Sequence, residues 1–349
     1  MRADGDGAGR GKFMRNKEIA QILNISPAAV SMALNNKGGV SESTKKKILE
    51  LKYAAPKKEE EAEHKKGSLL FSIHKKHGNV IAETHFFVTV MDAIQKQADA
   101  LGYYVNIVHY EPSLPIEEFM GNVNMEEIKG ILLLATEMNG ADLAYYQKWE
   151  KPLVILDNWF AGRNLDCVLM DNVDGIIQAV AYACRKGHRK IGFVGSRTKL
   201  HNFQERYEGY KQGLRRAGLP YQSKYVYETR CSTEGVCQDM LELLKEEKDW
   251  PSILIVSNDV MAIGIMNAFK QSGYQVGKDI SIIGFDNMPI DQYLEPPLTS
   301  INIQNEKIGQ IAVRRLVEKI EEDENDYSVH NQIGVNLVER KSVRDLTDI

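Results

Sequence analysis

From Ser68 onward, short runs of apolar residues alternate with longer amphipathic stretches, and this alternation constrains the fold more than any other feature. The runs are SLLFSI, YVNIVHY, GILLLA, PLVILD, CVLMD, KIGFVG, YVYE, SILIVS and ISIIGFD. Residues 86–101, 203–217, 234–245, 260–271 and 305–320 between or after them carry apolar side chains at helical spacing. A strand covered on both faces reads as a near-continuous apolar run, and helices between parallel strands supply the cover. The pattern predicts an α/β architecture of parallel sheets. The strands are too many for one comfortable doubly wound sheet, so two similar lobes are expected. EPPLTSINI and QIGVNLVE are expected to add the last strands.

The front of the chain differs. Up to Lys66 there are 14 Lys and Arg against 9 Asp and Glu, and after it 30 against 39. A basic front on an acidic body points to a polyanionic partner for the front alone. Three short helices fit residues 15–53. The first covers 16–23, with Ile19, Ile22 and Leu23 on one face. The second lies in NISPAAVSMALNN, where Ser26 can cap and Pro27 suits the first helical position. The third starts after Ser41, a second N-cap, and turns Ile48 and Leu51 inward. Only NIS joins the first two, and Asn24 tolerates the left-handed turn this requires. That is a helix-turn-helix arrangement. In the second helix Val30, Ala33 and Leu34 face inward, leaving Pro27, Ala28, Ala29, Ser31 and Met32 outside, without a charge among them. Small exposed side chains permit close approach to a DNA groove and contact with thymine methyls.

The remaining global features narrow the setting. Cys167, Cys184, Cys231 and Cys237 form no C-x-x-C pair, which fits reduced thiols in a cytoplasm. No apolar run approaches the ~18 residues that span a membrane, so no membrane partner is expected. MRADGDGAGRGKF, residues 1–13, lacks the apolar core of a secretory signal and reads as a disordered extension, with Met14 a credible start. Residues 55–67, APKKEEEAEHKKG, read as a solvated linker.

KEIAQILNISPAAVSMALN followed by VSESTKKKI resembles the DNA-binding head of the lactose-repressor (LacI/GalR) family. MDNVDG, GHRKIGFVGS, RYEGYKQGL, SNDVMAIGIMNAF, ISIIGFDN and PPLTSINI resemble, in order, that family's regulatory core. The resemblance covers residues 15–340. It implies a two-lobed core like that of periplasmic sugar-binding proteins, three crossovers, a homodimer, a palindromic DNA operator and a small effector, a carbohydrate, between the lobes. The expected layout is a helix-turn-helix domain at 14–54, a hinge at 55–67, a first lobe of 68–171 with 302–324, and a second of 172–301 with 325–349. The crossovers are expected near 171–172, 298–301 and 321–327.

The resemblance also assigns residues. Lys17, Ser26, Pro27, Ala28, Ala29, Ser31, Met32 and Asn35 are expected at the DNA, with Lys45, Lys46 and Lys47 near phosphates. Arg206, Asp286, Asn258, Asp157 and Asn202 match effector contacts; an Arg and an Asp suit a polyhydroxyl ligand, since one donates and the other accepts. Phe86 and Phe87, in HFF, and Trp159 are candidate stacking rings. Three departures stand out. The third helix reaches LKY about four residues sooner than the family pattern, roughly one turn. Met32 replaces an Arg common in the family, removing a bidentate guanine contact. The hinge segment has no Leu to wedge into the minor groove, so a weaker DNA kink is expected.

Enzyme signals are poor. GFVGS lacks the spacing of a phosphate-cradling loop. His74 and His77 have no evident third metal ligand and read as a solvated pair; His188 reads as structural. No metal or cofactor is expected. The alternative is a solute-binding protein of the same core fold that does not bind DNA.

Overall fold

The computed structural model describes residues 19–34 (except 21 and 24), 40–53, 65–76, 86–110, 118, 121, 123–246, 249–322 and 327–347. Expectations for the 1–13 extension, Lys17, Asn24, Asn35, His77, His85 and the linker up to residue 64 lie outside these residues. Leu51 is described only as part of its helix. The chain divides into two units, one ending at Lys65 and the other beginning at Lys66.

In the first unit Ile19, Ala20 and Ile22 are helical, followed by α1 (Pro27–Leu34) and α2 (Glu42–Tyr53). The Ser26 hydroxyl accepts the Ala29 N–H at 3.1 Å, and the Ser41 hydroxyl accepts that of Thr44 at 3.2 Å. Each cap satisfies an amide that the helix itself cannot pair. Ile19, Ala20, Val30, Ala33 and Ile48 form the core. Ile22, expected inward, is 58% exposed. At about 100° per helical residue, 19, 20 and 23 cluster on one side and 22 falls on the flank.

The second unit holds two six-stranded sheets. The first contains β1 (Gly67–His74), β2 (Tyr103–Tyr110), β3 (Ile128–Leu134), β4 (Leu153–Leu156), β5 (Asp166–Met170) and β11 (His330–Ile333), in the order β2-β1-β3-β4-β5-β11. The second contains β6 (Ile191–Ser196), β7 (Val226–Thr229), β8 (Ile253–Val256), β9 (Ser281–Asp286), β10 (Thr299–Asn302) and β12 (Asn336–Val338), in the order β7-β6-β8-β9-β10-β12. The two orders are equivalent, so the lobes repeat one plan. All pairs are parallel except β10 with β12. The helices are α3 (Phe86–Ala100), α4 (Leu143–Gln147), α5 (Asn172–Arg185), α6 (His201–Arg216), α7 (Thr233–Glu246), α8 (Asp259–Gln271) and α9 (Asn305–Glu321).

The chain leaves the first sheet after β5 and enters α5 of the second lobe at Asn172. The other two crossings differ from expectation. β10 pairs with β9 through Asn302, so the second crossing falls at 303–304, and α9 then packs on α3 and the first sheet. QIGVNLVE is not one strand. Its first residues end β11, which pairs with β5, and its later ones form β12, which pairs with β10. The third crossing is therefore at 334–335 and not at 321–327. The open edge of β5 supplies hydrogen-bond partners for 330–333, and backbone groups seek such partners wherever they exist.

Two features hold the site-bearing elements. Gly209 lets α6 lie close on α5: a Cβ there would stand 2.6 Å from the Val173 carbonyl oxygen. Asp166, fully buried at the start of β5, accepts from Arg315 at 2.6 Å, from Lys319 and from the Val329 amide at 2.9 Å. Burial alone would raise this carboxyl, but the Lys319, Arg315 and Val329 hydrogen bonds outweigh it and hold it below the ordinary range.

His188 is buried, 2.8 Å from the Ser252 hydroxyl and 3.2 Å from the Arg344 carbonyl, as a structural residue would be. His74 is not solvated. It is buried at the end of β1, with Nδ1 3.2 Å from the Tyr146 hydroxyl. Burial pushes both imidazoles down to about 4. Below ~6.5 the unfolded chain then takes up protons that the folded chain refuses, so each His costs up to ~1.4 kcal/mol of stability per pH unit toward 4. The buried Asp286 carboxyl, pushed up to about 7, acts with the opposite sign, so the His contribution is read as a difference: between pH 7 and pH 5 the urea midpoint of the wild type should fall relative to that of His188→Gln. A difference independent of pH would contradict this placement.

Candidate functional site

The carboxyl ends of β3, β4, β5, β8 and β9 and the first turns of α3 and α6 meet between the lobes, where open parallel sheets usually place ligands. They enclose a cavity of about 30 Å³. Its walls include Phe86, Phe87, Asp157, Asn202, Arg206, Asn258 and Asp286, so seven of the eight residues expected to touch an effector are brought together. Trp159 is not on the wall. It packs at 5.6 Å against His201 and 5.9 Å against His330, measured between ring centroids. Its indole bridges the lobes, since His201 belongs to α6 and His330 to β11 of the first sheet.

Arg206 is 4% exposed. Its Nε donates to Asn172 Oδ1 at 2.9 Å, one Nη to the Ser257 carbonyl, and the other to Asp286 at 3.3 Å and to the Met170 sulfur at 3.2 Å. The guanidinium lies 3.7 Å from the Phe285 ring centroid, a cation–π contact that fixes its plane. Asp157 accepts from Thr136 at 2.6 Å and, across the lobes, from Asn202 at 2.8 Å. Asn202 in turn accepts from Asn172 at 3.2 Å. Arg206 and Asp286 thus share one lobe, while Asn202–Asp157 closes the gap between the two.

Burial pushes the Asp286 carboxyl up to about 7; Arg206 pulls it down and Asp157 pushes it further up. Burial also raises Asp157, against hydrogen bonds from Thr136 and Asn202. Both carboxylates sit at left-handed backbone angles, φ 66° at Asp157 and 114° at Asp286. Such conformations are unfavourable for residues with a side chain and concentrate where function needs a group aimed. Asn258 is the N-cap of α8, its Oδ1 accepting the Met261 N–H at 3.0 Å. One of its two acceptor sites is thereby used, and its NH₂ remains to donate to a ligand.

Asn172 and Thr136 hold the site, yet sequence reading did not assign them. Thr136 carried a usable signal: it is a polar residue just after the apolar run of β3. Asn172 carried less, because its three hydrogen bonds depend on α6 lying against α5.

In the first unit Ser26, Pro27, Ala28, Ser31 and Met32 are exposed, Met32 at 36%, and Ala29 is half-buried. Lys46 and Lys47 are exposed and Lys45 half-buried. Among the described residues no group of three His, Cys, Asp or Glu forms a metal site, and no helix is long and apolar enough to cross a membrane.

A helical front unit followed by a two-lobed core with a charged interlobe cavity defines a class: a ligand-binding core joined to a helix-turn-helix head. Residues 180–343 match the periplasmic binding protein-like domain. The chain is 27% identical over 339 residues to the HTH-type transcriptional repressor PurR of Actinobacillus pleuropneumoniae serotype 3, covering 95% of this chain and 98% of that one. A LacI-family regulatory protein from Chloroflexus aggregans is 25% identical, with TM-score 0.69 over 78% of this chain and 98% of that one. The transcriptional regulator CelR in complex with cellobiose shares the fold at 20% identity, with TM-score 0.70 over 94% and 99%. In matched domain, relatives and fold, the chain is similar to transcriptional regulators of the LacI family.

Proposed function

We propose that this chain is a transcriptional repressor whose front unit binds a palindromic operator as a homodimer and whose core binds a neutral, polyhydroxylated effector, a sugar, between its lobes. The observation that carries this reading is the meeting of Arg206, Asp286, Asp157 and Asn202 in one interlobe cavity. Donors and acceptors alternate there as hydroxyl groups require. CelR, of the same fold, holds cellobiose, and the PurR relative is a repressor. The protein acts in the cytoplasm, where an operator is accessible, and works by binding, without catalysis.

The cavity is about 30 Å³, far below the roughly 300–1,000 Å³ typical of small-molecule pockets. A sugar therefore enters after the lobes part at the three crossings, and closure or opening is the event transmitted to the operator. A binding protein without DNA affinity would share the core. The capped, uncharged outer face of α1 favours the regulator.

A thermal-shift screen of sugars tests this. A ligand that binds the fold raises its melting temperature, and by linkage must also change operator affinity if it couples the two. A stabilising sugar that leaves operator binding unchanged would refute the reading.

The role of α1 gives a further expected result. Met32→Arg should shift the selected operator toward guanine at one position in each half-site, by about 1–3 kcal/mol of discrimination. An unchanged motif after selection from random DNA would remove Met32 from the base-reading face.

A further inference from the structure

A second cavity, of about 440 Å³, lies in the second lobe on the far side of α6. Its origin is topological. β7 is the edge strand of its sheet, and α6 packs on α5 and on β6. Past β6, the face of β7 that carries Val226 and Glu228 opens onto the cavity. In the strand register, Phe193 and Gly195 of β6 stand beside Val226 and Glu228. Gly195 keeps the floor low, since a Cβ there would come 3.1 Å from the Phe193 ring. Tyr207 of α6 and Tyr221 form a wall, their hydroxyls 2.7 Å apart, with the Phe193 and Tyr207 ring centroids at 5.6 Å.

The size and the mostly apolar, aromatic lining are those of a small-molecule site. Charge selects against an ion: Lys199 and Glu228 pair at 2.9 Å, and these are the two charged residues on the wall. Of the two phenols, one donates to the other, which leaves one O–H and several lone pairs for a ligand hydroxyl. The rings offer edges and faces to another ring.

We propose that this cavity binds a neutral aromatic ring bearing hydroxyl groups, and that its occupancy is felt in the interlobe cleft. Leu200 and Phe203 line both cavities. They bracket the first turn of α6, from which Asn202 reaches Asp157, and the next turn carries Arg206 to Asp286. A ligand that displaces either apolar side chain moves that turn. The coupling rests on the effector reading of the cleft; the binding does not.

The test uses 4-hydroxybenzyl alcohol and the full chain, followed by ligand-observed NMR titration. A neutral ring of this size is expected to bind with Kd on the order of 1 mM. Gln204, exposed on α6 and on the cavity wall, allows a plug: Gln204→Trp should weaken binding at least about tenfold, a loss of ~1.4 kcal/mol, and leave the melting temperature and operator affinity unchanged. Asp286→Asn should leave probe binding intact. In the wild type, saturating probe should change the affinity for whichever sugar the thermal screen identifies by about threefold or more, an effect within the usual range of coupling and absent in Gln204→Trp. Absence of saturable binding up to ~20 mM, or binding indifferent to Gln204→Trp, overturns the site. Probe binding lost with Asp286→Asn but kept with Gln204→Trp places the probe in the cleft, which overturns the site and leaves the effector reading standing. Binding blocked by Gln204→Trp without any change in sugar affinity overturns the coupling.

Discussion

Replacing Arg206 by Ala is expected to weaken the effector response at least about 100-fold, a loss near 2.7 kcal/mol, while operator affinity stays within about threefold. The guanidinium is the one buried cation on the cavity wall and bonds Asn172, Ser257, Met170 and Asp286 together. Removing one member of a buried pair ordinarily costs about 3–5 kcal/mol of stability. The cost here should lie at the lower end, because Asp286 already titrates near 7 and can shed its charge by taking a proton. Arg206→Lys separates the two effects. It keeps a cation near Asp286 but loses the planar fork, so the protein should remain folded while the response is still lost. A normal response in Arg206→Lys, read as effector-dependent change in operator Kd, would show that the fork does not contact the ligand.

Asp166→Ala should be strongly destabilising. This carboxylate ties Arg315 and Lys319 of α9 to the start of β5, and holds the amide that leads into β11. Lys319, 17% exposed, and Arg315, almost fully buried at 5% side-chain exposure, would lose this anion, and Arg315 would keep its ion pair with Glu318 of the same helix, 3.0 Å away. The expected loss is about 3–5 kcal/mol, or a melting temperature lower by roughly 6–15 °C. The sign with pH follows from the lowered carboxyl: its contribution is complete above ~3.8 and disappears as pH falls through the folded-state value. A shift under about 3 °C would mean that α9 is held by its apolar face alone.

Both cases show what a sequence can reveal. The strands and helices of the core were legible because burial on both faces leaves a periodic apolar signature, and polar residues just past such runs, Asp157, Asn258 and Asp286, mark the crevice. Asp166 left no such signal. It reads as one more acid at the edge of an apolar run, and its partners are about 150 residues away in sequence. The third crossing was misplaced for a related reason. Residues 330–333 and 336–338 form one polar–apolar run, and only the free edges of two different sheets divide it. Trp159 follows two residues after Asp157 in VILDNWF, but its indole packs on His201 and His330 and is not on the cavity wall. Asn258 has a second task that its position past a strand does not reveal, the capping of α8.

The central claim is that the front unit reads DNA as one half of a symmetric pair. Selection from random duplexes, followed by footprinting and the mass of the complex in solution, tests it most directly. The account predicts an inverted repeat with half-sites about one helical turn apart, two chains per duplex, and affinity that falls steeply with salt as lysines release counterions. An asymmetric single site bound by one chain, or no enriched sequence at all, would contradict it.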